Sequence, residues 1–329
     1  MEKHTFMRIS TRLVTAMAAL FCGITSFSQE YKGPELKPEF VCDLGKITPE
    51  HVKVKGATQG FAIWGRYGFV LHDKGQCVVF DVKEKRFVST FKLKDNVSHC
   101  NNACFGVEKG TDFPLLYVSA CKGDHCCYVT DITIKSGKIV QKLYFSGEGY
   151  INAYDWFIDR KNKLIYTYGT NGDMSKLIKK FRLPTLEDSD KNGEVHLTQK
   201  DVIEEFTVKG IRIYQGSTMK GRYAYLADGY PPHDRVLHVA DMKEKKLVKS
   251  IDLNDLKYEP EGLTIKGKWL YMAMHVKKQP RDSQIYRFKI KYLQNRNYIL
   301  LRNSATVIAV ATAAFSDSEP VSFFGYGGM

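Results

Sequence analysis

The chain carries none of the short motifs that mark nucleotide-dependent or common hydrolase chemistry. There is no Walker loop, no G-x-G-x-x-G opening a helix, no G-x-S-x-G elbow and no H-E-x-x-H pair. Each of those patterns exists to aim particular backbone or side-chain groups at a substrate, and their absence takes weight from those mechanisms. Long apolar runs are missing too. The stretches at 13–24 and 307–315 fall short of the roughly 20 residues that cross a bilayer, so no transmembrane helix is expected in the mature chain. Runs of five or more like charges are absent, which leaves the formal net charge of +13 spread over the surface. No matched pair of C-x-x-C elements occurs, and structural zinc is not expected.

What is present suits a large folded unit. At 329 residues with 43% hydrophobic and 12% aromatic content, the chain can bury a sizeable core. Residues 1–28 read as a signal peptide: a basic start, an apolar core, and Ser26 and Ser28 as small residues before a cleavage site at Gln29. Three basic residues and one acid lie in that leader, so the mature chain sits near +11. An excess of that sign favours anionic partners, of which a surface polysaccharide is expected here and nucleic acid is not. The location expected is secreted or periplasmic, and the chain is expected to be a monomer. Seven cysteines follow the leader, and export permits disulfides. Cys121 flanks a tight turn opposite Cys126 and Cys127, of which only one can face it, so a bridge there would contribute roughly 2 kcal/mol.

One pattern recurs: Gln59-Gly60-Phe-Ala-Ile-Trp-Gly-Arg-Tyr67, Gln215-Gly216-Ser-Thr-Met-Lys-Gly-Arg-Tyr223 and Glu261-Gly262-Leu-Thr-Ile-Lys-Gly-Lys-Trp269. In each copy an amide or carboxyl residue and a glycine open an apolar strand, and an aromatic opens the next after a Gly-Arg/Lys turn. Self-similar units of this size predict four-stranded propeller blades. The expected strands are 60–64, 67–72, 77–82 and 87–93; 103–107, 115–121, 127–132 and 139–145; 154–158, 164–169, 177–183 and 202–208, with a polar insertion around 185–193; 216–219, 223–227, 236–240 and 247–253; and 262–265, 270–274 and 285–290. The last unit lacks its fourth strand. Residues 40–47 match the outermost strands and are predicted to close the ring, which removes exposed edges. The fold class is therefore all-β, a five-bladed β-propeller over 40–290 completed by an N-terminal strand. Residues 29–39 read as an arm, and 291–329 as a tail outside the pattern.

Blades that run up and down bring the starts of the innermost strands and the loops between second and third strands to one face. This geometry gathers Gln59, His99, Asn101, Asn102, Asn152, Asp155, Gln215, Glu259 and Glu261 round the axis. The loops add His72, Asp73, Asp124, His125, Asn171, Asp173, Asp228, Tyr230, His233, Asp234, His275, Arg281 and Asp282. Such a ring suits a small ligand or an ion. In Glu259-Pro-Glu261 the proline fixes two carboxylates for a hard cation such as calcium or for acid–base work. The other reading, that Glu261 accepts bonds from a neighbouring blade's backbone as Gln59 and Gln215 would, stays open. Asp155, Glu261 and His99 are the catalytic candidates. Gln59, His99, Asn102, Asn152, Gln215, Tyr230, His233, Glu259 and Glu261 are the ligand-binding candidates. The loop Asp228-Gly-Tyr230-Pro-Pro-His233-Asp234 offers an aromatic face suited to stacking on a sugar ring, or is simply a stiff turn.

The axial Gln-Gly copies, His99-Cys-Asn-Asn102, Phe113-Pro-Leu-Leu-Tyr-Val-Ser119, Phe181-Arg-Leu-Pro184 with Val195-His-Leu-Thr198, and Glu259-Pro-Glu-Gly262 together carry a resemblance. Over residues 40–290 the chain resembles the five-bladed propellers grouped with teichoic-acid biosynthesis protein C and the receptor-binding domain of certain phages. The resemblance implies a propeller associated with cell-surface glycopolymers and supplies no catalytic residue set. Three functions follow as expectations: a secreted propeller binding a carbohydrate or surface polymer at the axial mouth, a glycan hydrolase or lyase using axial carboxylates, and a protein–protein interaction scaffold.

Overall fold

The computed structural model describes residues 38–94, 99–150, 154–172, 175–276 and 283–294. The stretch read as a signal peptide, most of the expected arm and nearly all of the tail lie outside them, as do Asn152, Asp173, Arg281 and Asp282. Among the described residues no helix is long and apolar enough to cross a membrane.

The chain opens with β1 (Glu39–Asp43) and a single helical turn, α1 (Leu44–Ile47). Blade one follows as β2 (Thr58–Trp64), β3 (Tyr67–His72), β4 (Gln76–Asp81) and β5 (Arg86–Lys92), and blade two as β6 (Cys100–Lys109), β7 (Pro114–Ala120), β8 (Cys126–Ile132) and β9 (Gly137–Ser146). Blade three is β10 (Tyr154–Asp159), β11 (Leu164–Gly172) and β12 (Ser175–Arg182), then a departure through β13 (Glu194–Thr198) before its outer strand β14 (Glu204–Lys209). Blade four is β15 (Tyr214–Lys220), β16 (Tyr223–Asp228), β17 (Val236–Asp241) and β18 (Lys246–Asp252). Blade five is β19 (Glu259–Lys266), β20 (Trp269–His275) and β21 (Gln284–Lys289), after which comes α2 (Ile290–Leu293). Each blade is an antiparallel meander, and β1 pairs with β21 as the fourth strand of blade five, so the structure is the closed five-bladed ring.

Alternation along each strand explains why the ring holds. Phe69 and Val79 face blade two, packing with Phe105, Val118 and Tyr128, while their neighbours Val70 and Phe80 face blade five and meet Tyr271 and Ile285. Five apolar clusters follow, one between each pair of adjacent blades. Closure draws on the same source. Val41, Cys42 and Leu44 enter the cluster between blades five and one, and Glu39 pairs with Arg287 across the β1–β21 seam.

Two expectations need correcting. Residues 40–47 do not form one strand: Asp43 accepts bonds from the backbone N–H of Gly45 (2.9 Å) and Lys46 (3.3 Å), and this cap turns the chain into α1. The insertion at 185–193 is also more than a loop. It carries β13 back to the previous blade, where it pairs in parallel with β9 as a fifth strand. Tyr144 stacks on His196 there, and the Gln141 amide donates to Thr185 O and Ser189 Oγ.

The second half of the recurring pattern is structural. Arg66 clamps Asp81, and Arg222 clamps Asp241 at 2.6 Å. Each aspartate in turn accepts two backbone N–H groups of the next turn, from Lys83 and Glu84 and from Lys243 and Glu244.

Candidate functional site

The first half of the pattern builds the axis. In β2, β15 and β19 the pairing with the next strand slips between Thr58 and Phe61, Tyr214 and Ser217, and Pro260 and Leu263. Each slip is a bulge over the Gln-Gly or Glu-Gly dipeptide, and a bulge re-aims the side chain it carries. β6 slips likewise between Cys100 and Asn102, whereas β10 pairs in straight register through Asp155. The glycines let neighbouring backbones touch. A Cβ on Gly60 would lie 2.8 Å from Asn102 C, one on Gly216 2.0 Å from Glu261 O, and one on Gly262 2.2 Å from Phe61 N. Gln59, Asn102, Gln215 and Glu261 thus share one layer. Asn102 Nδ2 ties it to β10 and β15 through Trp156 O (2.9 Å), Ser217 O (2.9 Å) and Ser217 Oγ (3.0 Å).

Burial in this layer is extreme for polar groups. Asp155 and Asn102 are 0% exposed, Glu261 2%, Gln59 4% and Gln215 6%. Asp155 accepts a hydrogen bond from Asn101 Nδ2, and the nearby Ser119 hydroxyl also favours its charged form, yet desolvation outweighs both and pushes its carboxyl up to about 7. Glu261 is raised well above the usual carboxylate range, first by burial and then by Glu259, Asp73 and Asp155, with Lys122 opposing. Among the described residues four buried oxygens here have no partner: Gln59 Oε1, Asn102 Oδ1, Asp155 Oδ1 and Glu261 Oε2. A buried polar atom left unpaired costs about 1–3 kcal/mol, so the layer carries a concentrated deficit of donors. The backbone-amide role considered for Glu261 is not what Oε2 performs.

The other expected residues divide into groups. Glu259 is half-buried, and its Oε1 accepts from Gln215 Nε2 at 2.8 Å. His99 stands apart from Asp155 at the rim, where its Nδ1 lies 2.9 Å from Asp73 Oδ1. Burial would raise Asp73, but the bond and charge of His99 and the Ala57 amide hold it below its ordinary value. His72 is buried and lowered to about 4 by desolvation, and its Nδ1 donates to Gly56 O at 3.2 Å. His275 accepts the Thr58 N–H at 3.3 Å and is likewise lowered by burial. Tyr230 and His233 are exposed and meet edge to face at 5.0 Å. The start of their loop is tied down. Asp228 accepts the N–H groups of Arg212 (3.1 Å) and Ile213 (2.7 Å) and pairs with His238.

No disulfide joins Cys121 to Cys126 or Cys127, and all seven described cysteines are free thiols. The reason is directional. Cys126 packs in the cluster toward blade one and Cys127 in the cluster toward blade three, while Cys121 sits near Asp155 and Glu261.

A larger cleft lies on the same face, over blade one. It has a volume of about 580 Å³ and is lined by Lys55, Gly56, Asp73, Lys74, Gln76, Thr90, Phe91 and Lys92. Gln76 shapes it: Oε1 accepts the Lys55 N–H at 2.8 Å and Nε2 donates to Lys53 O at 2.7 Å, which lays residues 53–55 over the blade. The three lysines are exposed. Nothing in the sequence singled them out from the other surface lysines. A groove of about 320 Å³ between blades three and four, lined by residues such as Asp159, Lys180 and Glu204, includes the strand turns at Gly221 and Lys243, at the opposite face.

No protein-family model matches the chain, and no curated protein matches it. Among solved structures, the glutaminyl cyclase of Myxococcus xanthus aligns over 78% of this chain and 95% of its own, with 11% sequence identity and a TM-score of 0.46. Neither a reaction nor a ligand is read from that likeness. The resemblance drawn from the motifs holds at the level of the five-bladed propeller.

Proposed function

We propose that this propeller is a binding protein for an anionic carbohydrate or surface polymer, which lies across the blade-one cleft beside the axial entrance. The observation that carries this reading is the cleft itself, where Lys55, Lys74 and Lys92 surround Phe91 and Thr90 within about 580 Å³. Three cations against one acid suit carboxylate or other anionic substituents, and a partly apolar floor suits the faces of sugar rings. Asp73, the single acid of the lining, is already paired with His99.

The test is binding of polygalacturonate, with dextran as the neutral control, by isothermal titration at two salt concentrations. Polygalacturonate binding that weakens with salt, and at least tenfold in Lys55→Glu/Lys74→Glu/Lys92→Glu, supports the reading. Equal binding of dextran, or a triple variant that binds as the wild type does, refutes it.

An enzymatic reading has one observation in its favour: Asp155, held near pH 7, is poised to exchange a proton. Against it, Asp155 is 0% and Glu261 2% exposed, so a polymer reaches neither without a change in the axial layer. Turnover of a polysaccharide panel that Glu261→Gln abolishes would select the hydrolase or lyase.

A further inference from the structure

We infer that the axial layer binds a hard divalent cation of the calcium class through side-chain oxygens of Gln59, Asn102, Asp155 and Glu261. These residues come from four innermost strands and, except for the straight strand β10, are placed by bulges in a shared layer. Each keeps one buried oxygen with no partner among the described residues.

The chemistry of the set selects the ligand. With both carboxylates ionised all four unpaired atoms are acceptors, and the amide donors of Asn102 and Asn101 point elsewhere: Asn102 Nδ2 goes to Trp156 O and Ser217, and Asn101 Nδ2 to the other oxygen of Asp155. Two carboxylates and two amide carbonyls match the all-oxygen coordination that calcium takes, with water completing the shell. With no nitrogen or sulfur among the four, the set is unlike that chosen by zinc or copper. The nearby charges are Glu259 and Asp73, which add to the attraction, and Lys122, which opposes it. Tyr168 OH is buried without a partner among the described residues as well, and Asp155 is among the charges acting on it.

A second acidic group gives an internal control. Asp190, Glu194 and His196 place ligand atoms within 4.8 Å of one another on the outer edge of blade two. That group is at the surface, and Asp190 Oδ1 already accepts the N–H groups of Asn192 and Glu194. It is a turn cap, and no cation site is assigned to it.

The inference does not rest on polymer binding, and its test contains no polymer. Protein stripped with EGTA is titrated with calcium chloride and magnesium chloride by differential scanning fluorimetry. Terbium(III) luminescence, excited through Trp156 beside Asp155, reports occupancy directly. The expected result is a calcium-dependent rise in melting temperature and a saturable terbium signal that calcium displaces. Asp155→Asn and Glu261→Gln should each raise the dissociation constant at least a hundredfold, while His196→Ala leaves it unchanged. Gln59→Leu, which removes an unpaired oxygen without touching a charge, should weaken binding about tenfold and serves if a carboxylate variant fails to fold. Absence of any shift or terbium signal at millimolar metal overturns the inference. So does retention of wild-type affinity in the axial variants, or loss of binding in His196→Ala alone.

Discussion

Replacing Asp155 with asparagine should alter how the stability of the metal-free protein depends on pH. The folded carboxyl titrates near 7 and an aspartate in an unfolded chain near 3.8. Below pH 4 both states hold the proton, and the group makes no difference. Between 4 and 7 the unfolded chain releases its proton while the folded chain keeps it, so unfolding becomes easier by about 1.4 kcal/mol per pH unit. Over the roughly three units separating the two values, the wild type loses about 4 kcal/mol that the variant keeps. His72 acts in the opposite sense. Its folded value near 4 lies below the usual 6.5, so its contribution is lost as pH falls through that interval. The informative quantity is therefore the difference between wild type and Asp155→Asn, in which His72 cancels. The substitution keeps the shape and leaves an oxygen to accept from Asn101. Urea unfolding in EGTA at half-unit steps from pH 4.5 to 8 gives both curves. A difference that stays constant across the range would mean that Asp155 ionises normally in the fold, and the account of the axial layer as a desolvated, donor-poor set would fail.

Two further predictions concern the frame around that layer. Gly216→Ala should cost at least about 3 kcal/mol, because its Cβ would lie 2.0 Å from Glu261 O and 2.8 Å from Gly262 Cα, and neither is free to move aside. Gly221→Ala meets nothing within 4 Å and pays only for its φ of +60°, about 1–2 kcal/mol; urea midpoints that rank the two the other way would contradict the close-approach argument. Val41→Asp should cost at least about 3 kcal/mol, since Val41 is 5% exposed between blades five and one. Thermal unfolding that leaves this variant within 1 °C of the wild type would show that closure by β1 contributes little.

Much of the architecture was legible in local order. The spacing of Gln59-Gly60, Gln215-Gly216 and Glu261-Gly262, with alternating apolar residues between turn signals, specified four-stranded units, and the match of the stretch after residue 39 to the outer strands specified closure. These features are periodic, and periodicity survives in one dimension. Other features were not legible because they depend on partners distant in the chain. That Glu194–Thr198 returns to β9, that Cys121 turns toward Asp155 and Glu261 and meets neither Cys126 nor Cys127, and that His99 pairs with Asp73 are all set by how blades abut. The cleft of Lys55, Lys74 and Lys92 exists only once residues 53–55 are laid over blade one.

By itself, then, the amino-acid order determined the blade count, the strand directions and which end of the innermost strands carries amides and carboxylates, because a period-two pattern and a repeated Gln-Gly or Glu-Gly dipeptide encode them residue by residue. The tertiary structure alone decided the character of those groups. Whether a carboxylate is solvated or stranded depends on how closely five separate strands approach. That distance is set by glycine contacts between segments as much as 200 residues apart.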